Sequence, residues 1–140
     1  MPFEKILVAV DGSEPSDRAF VTALELAVLM HARVTALAVE GPLPVYAATL
    51  GEVDEVKREK DAFFSALAAR LRHEASVRSV ELDVVVRAGH AAELISEAAR
   101  DGGHDLVVLG HRGHFLRGHL LGSTADRVVE QAPCPVMIVR

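Results

Sequence analysis

The sequence predicts an α/β fold: a five-stranded parallel sheet, doubly wound, with helices on both faces. Three observations predict it. Short continuous apolar runs recur along the chain, as in strands buried on both sides. Stretches of helical periodicity separate them, which implies right-handed crossovers and parallel strands. The composition is that of a globular chain, with 50% hydrophobic and 25% charged residues.

Each element follows from local residues. Ile6 to Val10 is apolar throughout and ends at Asp11-Gly12-Ser13, a strand closing in a turn. Ala19, Phe20, Ala23, Leu24, Ala27 and Met30 then recur at helical spacing, with Ser13 or Ser16 as the N-cap. Arg33 to Val39 is the second strand, stopped by Gly41-Pro42-Leu43-Pro44. From about Glu52 to Glu74, Val53, Val56, Phe63, Leu67 and Leu71 form the apolar stripe of a long amphipathic helix. Leu82 to Val86 is the third strand and Gly89 breaks it. Ala92 to Arg100 is a short helix with Leu94, Ile95 and Ala98 on one face. Asp105 to Leu109 is the fourth strand. Ser123 is positioned to cap a helix running to about Gln131, Pro133-Cys134-Pro135 stops it, and Val136 to Val139 is the fifth strand.

The chain has 140 residues, the size of one domain that buries roughly two-thirds of its unfolded surface, so residues 1–140 are expected to form a single unit. A formal charge of -5 supplies no positive field for nucleic acid. The start, Met1-Pro2-Phe3-Glu4-Lys5, lacks the pattern of a secretory signal, and no apolar run approaches the roughly 20 residues that span a bilayer. Cys134, the one cysteine, has no partner for an internal disulfide. These features predict a cytoplasmic protein without a membrane segment.

In doubly wound sheets ligands sit beyond the carboxyl ends of the strands where strand order reverses, which directs attention to the loops after strands one and four. The segment from Gly110 to Thr124 contains Gly110, Gly113, Gly118 and Gly122 together with Arg112 and Arg117, and leads into a helix. Glycines admit backbone N–H groups close to an anion, a helix start adds free N–H groups, Ser123 and Thr124 add hydroxyls, and the arginines offset phosphate charge. This is a candidate phosphate cradle, although glycines that merely turn the chain would look the same. It is not a P-loop, because Gly-Lys-Ser/Thr does not occur. The loop Asp11-Gly12-Ser13-Glu14 carries two carboxylates and is suited to a base, a ribose or a metal ion rather than phosphate; a turn-shaping role for Asp11 is the plain alternative. Charge therefore gives the site a direction, nucleoside at strand one and phosphates at the Gly110 loop.

His104, His111, His114 and His119 fall within sixteen residues, and His111-x2-His114 has a spacing zinc can use. No carboxylate or cysteine in the loop completes a ligand set, so no metal site is assigned and the histidines are expected to bond phosphates or water. Ser13, Ser123 and Cys134 lack the setting of a nucleophile, Cys134 reads as a small buried hydrophobe, and no catalytic residue is assigned.

The stretch from Ile6 to Ser13, the Gly89 turn, Val108-Leu109-Gly110, and Leu121-Gly122-Ser123 through Pro133-Cys134-Pro135-Val136 together resemble a universal stress protein, essentially end to end. ATP-binding members of that family carry Gly-x2-Gly, nine residues, then Gly-Ser or Gly-Thr. This chain reads Gly110-x2-Gly113-x8-Gly122-Ser123, one residue shorter in the middle with both ends intact. The resemblance implies a Rossmann-like nucleotide-binding sandwich and a homodimeric regulatory protein of the stress response that binds ATP, ADP or AMP, with Mg²⁺ as a companion of the phosphates. It places adenine against Ala9, Val10, Asp11 and Val39, and the ribose by Leu109 and Gly110. Phosphates fall to Gly113, Gly122, Ser123 and Thr124, beside which the charge of Arg112 is suited to offset them; Ala125 stands where some binders have a hydroxyl. It further implies pairing of Val136–Val139 with its copy across a two-fold axis and a separate, unidentified protein partner. A nucleotide-independent interaction module, or a slow ATPase or nucleotide transferase using Asp11 and a metal, are the alternatives.

Overall fold

The computed structural model describes residues 3–40, 50–111 and 123–140. Along the chain they form β1 (Lys5–Val10), α1 (Glu14–Met30), β2 (Arg33–Glu40), α2 (Leu50–Val77), β3 (Leu82–Ala88), α3 (Ala91–Asp101), β4 (Leu106–Gly110), α4 (Ser123–Gln131) and β5 (Val136–Val139). The five strands make one sheet in the order β3-β2-β1-β4-β5, and every pairing is parallel. The elements expected from the sequence are all present. α2 is longer than expected at both ends, and β3 continues past Val86.

Side chains alternate across the central strands and divide the core in two. Ile6, Val8 and Val10 of β1, Val34, Ala36 and Ala38 of β2, and Leu106 and Val108 of β4 pack with Ala19, Phe20, Ala23 and Leu24 of α1 and Leu67 and Leu71 of α2. Leu7, Leu37, Val107 and Leu109 point the other way, against Ala92, Ile95 and Ala99 of α3 and Ala125 and Val128 of α4. Both faces of β1 and β4 are thus covered, which is why their sequences are apolar without alternation. Among the described residues no helix is long and apolar enough to cross a membrane.

The order positions the site. From β1 the chain winds outward through β2 to β3, then returns to place β4 on the other side of β1. α1 leaves β1 over one face and α4 follows β4 on the other, so the carboxyl ends of β1 and β4 open into a crevice, the switch point of the sheet.

The opposite end of the sheet is closed by a polar clasp. The Asp105 carboxylate accepts from the Glu4 and Lys5 amides at 2.9 and 3.1 Å, and the Lys5 ammonium donates to the Gly102 carbonyl. His104 Nδ1 lies 3.1 Å from the Ala98 carbonyl and Nε2 lies 3.1 Å from Thr35 Oγ1, which fits a neutral ring that donates from Nδ1 and accepts at Nε2. This corrects the grouping of His104 with the loop histidines: it precedes β4, whereas the loop follows it. Burial lowers the His104 pKa and the Lys5 charge adds to this, against the Ala98 hydrogen bond and Asp105, which raise it. The folded protein therefore holds the ring neutral where the unfolded chain, near pH 6.5, takes up a proton. The stabilisation is complete above pH 6.5 and is lost as pH falls through the lowered native value. Urea titrations are expected to show a midpoint that drops on acidification below pH 6.5, with a shallower drop in His104→Gln; an equal drop in the variant would exclude His104 as the source.

Candidate functional site: the β1–β4 crevice

The first wall of the crevice is the turn from β1 into α1. Asp11 Oδ1 accepts from the Ser13 amide at 2.9 Å, so Asp11 does shape the turn. The Asp11 amide donates to Ser16 Oγ at 3.2 Å, and that hydroxyl donates to the Ser13 carbonyl at 3.1 Å. Ser13 is the N-cap of α1, its Oγ accepting from the Ser16 amide at 3.4 Å. This decides between the two serines the sequence offered. Gly12 has φ +84°, a left-handed conformation that favours glycine.

The second wall is the end of β4. A β-carbon on Gly110 would lie 2.5 Å from the Pro15 carbonyl oxygen, 2.6 Å from its carbon and 3.0 Å from the Ser16 nitrogen. Glycine is thus required here for the close approach of strand β4 to the first turn of α1, a packing reason independent of any ligand. α4 is described from Ser123 to Gln131, so Ser123 and Thr124 stand at the near end of this helix.

Between these walls is a cavity of about 220 Å³. Ala9, Val10 and Asp11 reach it from β1 and its turn, Val39 from β2, Leu109 and Gly110 from β4, and Ser123 and Thr124 from α4. The fold brings these eight sequence-selected residues together. Arg112, Gly113 and Gly122 lie outside the described residues, as do His114, His119 and Arg117. The cavity is lined as well by Ser13, Pro15 and Ser16 of the first turn, by Ala91 and Ile95 of α3, and by Ala125. Ser13 belongs to the acidic turn and Ala125 to the helix that the sequence already marks, whereas nothing in the sequence marks Pro15, Ser16, Ala91 and Ile95. The sequence pattern puts Ile95 on an apolar helix face, but the pattern alone does not say which turn of that face reaches the crevice.

The lining divides by chemistry. Ala9, Val39, Ala91, Ile95, Leu109 and Ala125 form an apolar part suited to a flat aromatic ring, and Asp11, Ser13, Ser16, Ser123 and Thr124 supply polar groups. The N-terminal turns of α1, α3 and α4 border the cavity with unequal acid loads, α3 carrying Glu93. α1 carries Glu14 and Asp17 in its first turn, beside Asp11, whereas α4 carries Asp126. Of α1 and α4, the α4 end is the better seat for an anion. Among the described residues, no three His, Cys, Asp or Glu side chains gather as a metal site. Cys134 is partly rather than fully buried and packs beside the α3–α4 core; burial, helped by the Asp105 charge, pushes its thiol pKa up, so it is not an activated nucleophile.

The family model described as the universal stress protein family matches residues 2–140. The chain belongs to the universal stress protein family. It is 36% identical to a Thermus aquaticus universal stress protein and 30% identical to universal stress protein YxiE of Bacillus subtilis, in each case over 99% of both chains. The structure of the universal stress protein UspA from Lactobacillus plantarum superposes with a TM-score of 0.87 at 26% identity, covering 100% of this chain and 99% of that one. Two more distant structures share the universal stress protein fold. One is a universal stress protein in complex with cAMP (TM-score 0.78, 22% identity, 100% of this chain and 98% of the other). The other is an Arabidopsis thaliana family protein with AMP bound (TM-score 0.69, 21% identity, 97% and 90%).

Proposed function

We propose that this universal stress protein binds an adenine nucleotide, ATP or its relatives ADP and AMP, in the β1–β4 crevice. The observation that carries the reading is the cavity itself: strand ends from β1, β2 and β4 converge on it, and the hydroxyl residues Ser123 and Thr124 of α4 line it beside an apolar slot. Adenine enters against Ala9, Val10, Asp11 and Val39, and the ribose lies by Leu109 and Gly110. Phosphates extend to Ser123 and Thr124 and to Arg112, Gly113 and Gly122. The cavity is smaller than the roughly 300–1,000 Å³ of drug-sized pockets, a size that suits a base and sugar with the phosphates lying outside it. The cAMP and AMP held by two family structures support the ligand class. Mg²⁺ accompanies the phosphates, and no catalytic residue is assigned.

In this reading occupancy acts as a regulatory signal in the cytoplasmic stress response: it shifts the protein between states that bind an unidentified protein partner with different affinity. The protein works as a homodimer. Among the described residues β5 pairs with β4 alone and stands at the sheet edge, with Val136, Met137, Ile138 and Val139 only partly buried, a strand edge that a copy related by a two-fold axis would cover. Calorimetric titration of folded protein with Mg²⁺ and ATP tests the nucleotide reading. Saturable binding at one site per chain is expected, and no saturable heat up to millimolar ligand would overturn it.

A further inference from the structure

Phe63 occupies an unusual position for a large aromatic side chain. It is 49% exposed, while its neighbour Phe64 packs against the α1–α2 core, the two rings meeting edge to face at 5.1 Å. Core formation does not account for Phe63. Its ring tip instead rests on the β1–α1 turn: a β-carbon on Gly12 would lie 2.7 Å from Cζ and 3.4 Å from Cε1. Gly12 is the residue with φ +84°, and on either side of it Asp11 and Ser13 are joined by the hydrogen bond that sets the turn. Asp11, Ser13, Pro15 and Ser16 line the cavity, whereas Phe63 does not. The ring therefore props the turn from outside the site.

We propose that Phe63 is a positioning residue for the crevice, holding the Asp11–Ser16 turn in its binding geometry and linking α2 to occupancy of the site. The link rests on the nucleotide reading above; the support of the turn does not. Without the ring, the left-handed Gly12 has open space on that side and the turn samples other conformations, because glycine loses more freedom on ordering than any other residue. A ligand that needs the turn ordered then binds less tightly. Conversely, binding that fixes the turn favours the docked ring, since coupling is reciprocal. Residues 51–62 of α2 are mostly exposed, so this part of the helix is accessible to a partner.

Amide hydrogen exchange and Mg²⁺–ATP calorimetry on wild type, Phe63→Ala and Phe63→Leu test this. In the free protein, Phe63→Ala is expected to speed exchange about tenfold at the Asp11, Ser13 and Ser16 amides, with Ile6–Val8 and Val107–Leu109 unaffected, a local opening rather than global loss of stability. ATP affinity is expected to fall about five- to tenfold, the range of coupling through one contact, with partial recovery in Phe63→Leu. Unchanged exchange at the turn overturns the proposal whatever the calorimetry shows. Faster exchange with unchanged affinity overturns the link to the site. Faster local exchange in a protein whose wild type binds no ATP upholds the support of the turn and rejects the nucleotide reading instead. Should Phe63→Ala fail to fold, Phe63→Leu carries the same comparison, with uniform acceleration across the core strands overturning the proposal.

Discussion

Gly110→Ala is expected to lower the stability of the protein by about 2–3 kcal/mol, the upper range for overpacking a close-fitted site. The added methyl would meet the Pro15 carbonyl oxygen at 2.5 Å and its carbon at 2.6 Å. Both are backbone atoms of the first turn of α1, which is fixed by the Ser13 cap and by the Ser16 hydrogen bonds to Asp11 and Ser13. Relief requires β4 and α1 to separate, and the crevice between them to change shape. Gly12 provides the contrast. A methyl there meets the tip of a half-exposed side chain, which can swing away, leaving the cost of the left-handed backbone, on the order of 1 kcal/mol. Denaturant unfolding reads the difference directly. A Gly110→Ala protein as stable as wild type would mean that β4 does not approach α1 as described.

Ala91→Trp is expected to weaken ATP binding by at least about 100-fold, roughly 2.8 kcal/mol, while leaving the fold intact. Ala91 opens α3 and lines the cavity from the side opposite the Asp11 turn; it is only partly buried, so a larger side chain has a way out of the core. An indole at that place fills a large share of a 220 Å³ space and competes with the base for the apolar slot. Calorimetry on the variant, with its melting temperature as the control for folding, measures the effect. Wild-type affinity in folded Ala91→Trp would place the nucleotide elsewhere.

Strand ends were legible from sequence because a parallel strand buried on both faces is a continuous apolar run that stops abruptly, as β1 does at Asp11 and β4 at Gly110. The rule for doubly wound sheets then pointed to those ends, and Ala9, Asp11, Val39, Leu109 and Ser123 do meet at the cavity. Features set by distant packing were not legible. Gly110 was selected for its place in a loop pattern, but the contact that demands glycine is with Pro15, near the other end of the chain. His104 was grouped with His111 by closeness in sequence, yet the five residues of β4, at about 3.3 Å each, separate them by about 16 Å. Ser13 and Ser16 were equal candidates to cap α1; only the turn geometry shows Ser13 as the cap and Ser16 as the hydroxyl that ties Asp11 down.

The function proposed for this protein requires an adenine nucleotide in the crevice at the switch point of the sheet. Titration of the folded wild-type protein with ATP and Mg²⁺ in a calorimeter tests it most directly. A saturable heat with one nucleotide per chain is expected; a folded protein that gives no saturable heat up to millimolar ATP would empty the crevice of its proposed ligand and leave a universal stress protein that acts without a nucleotide.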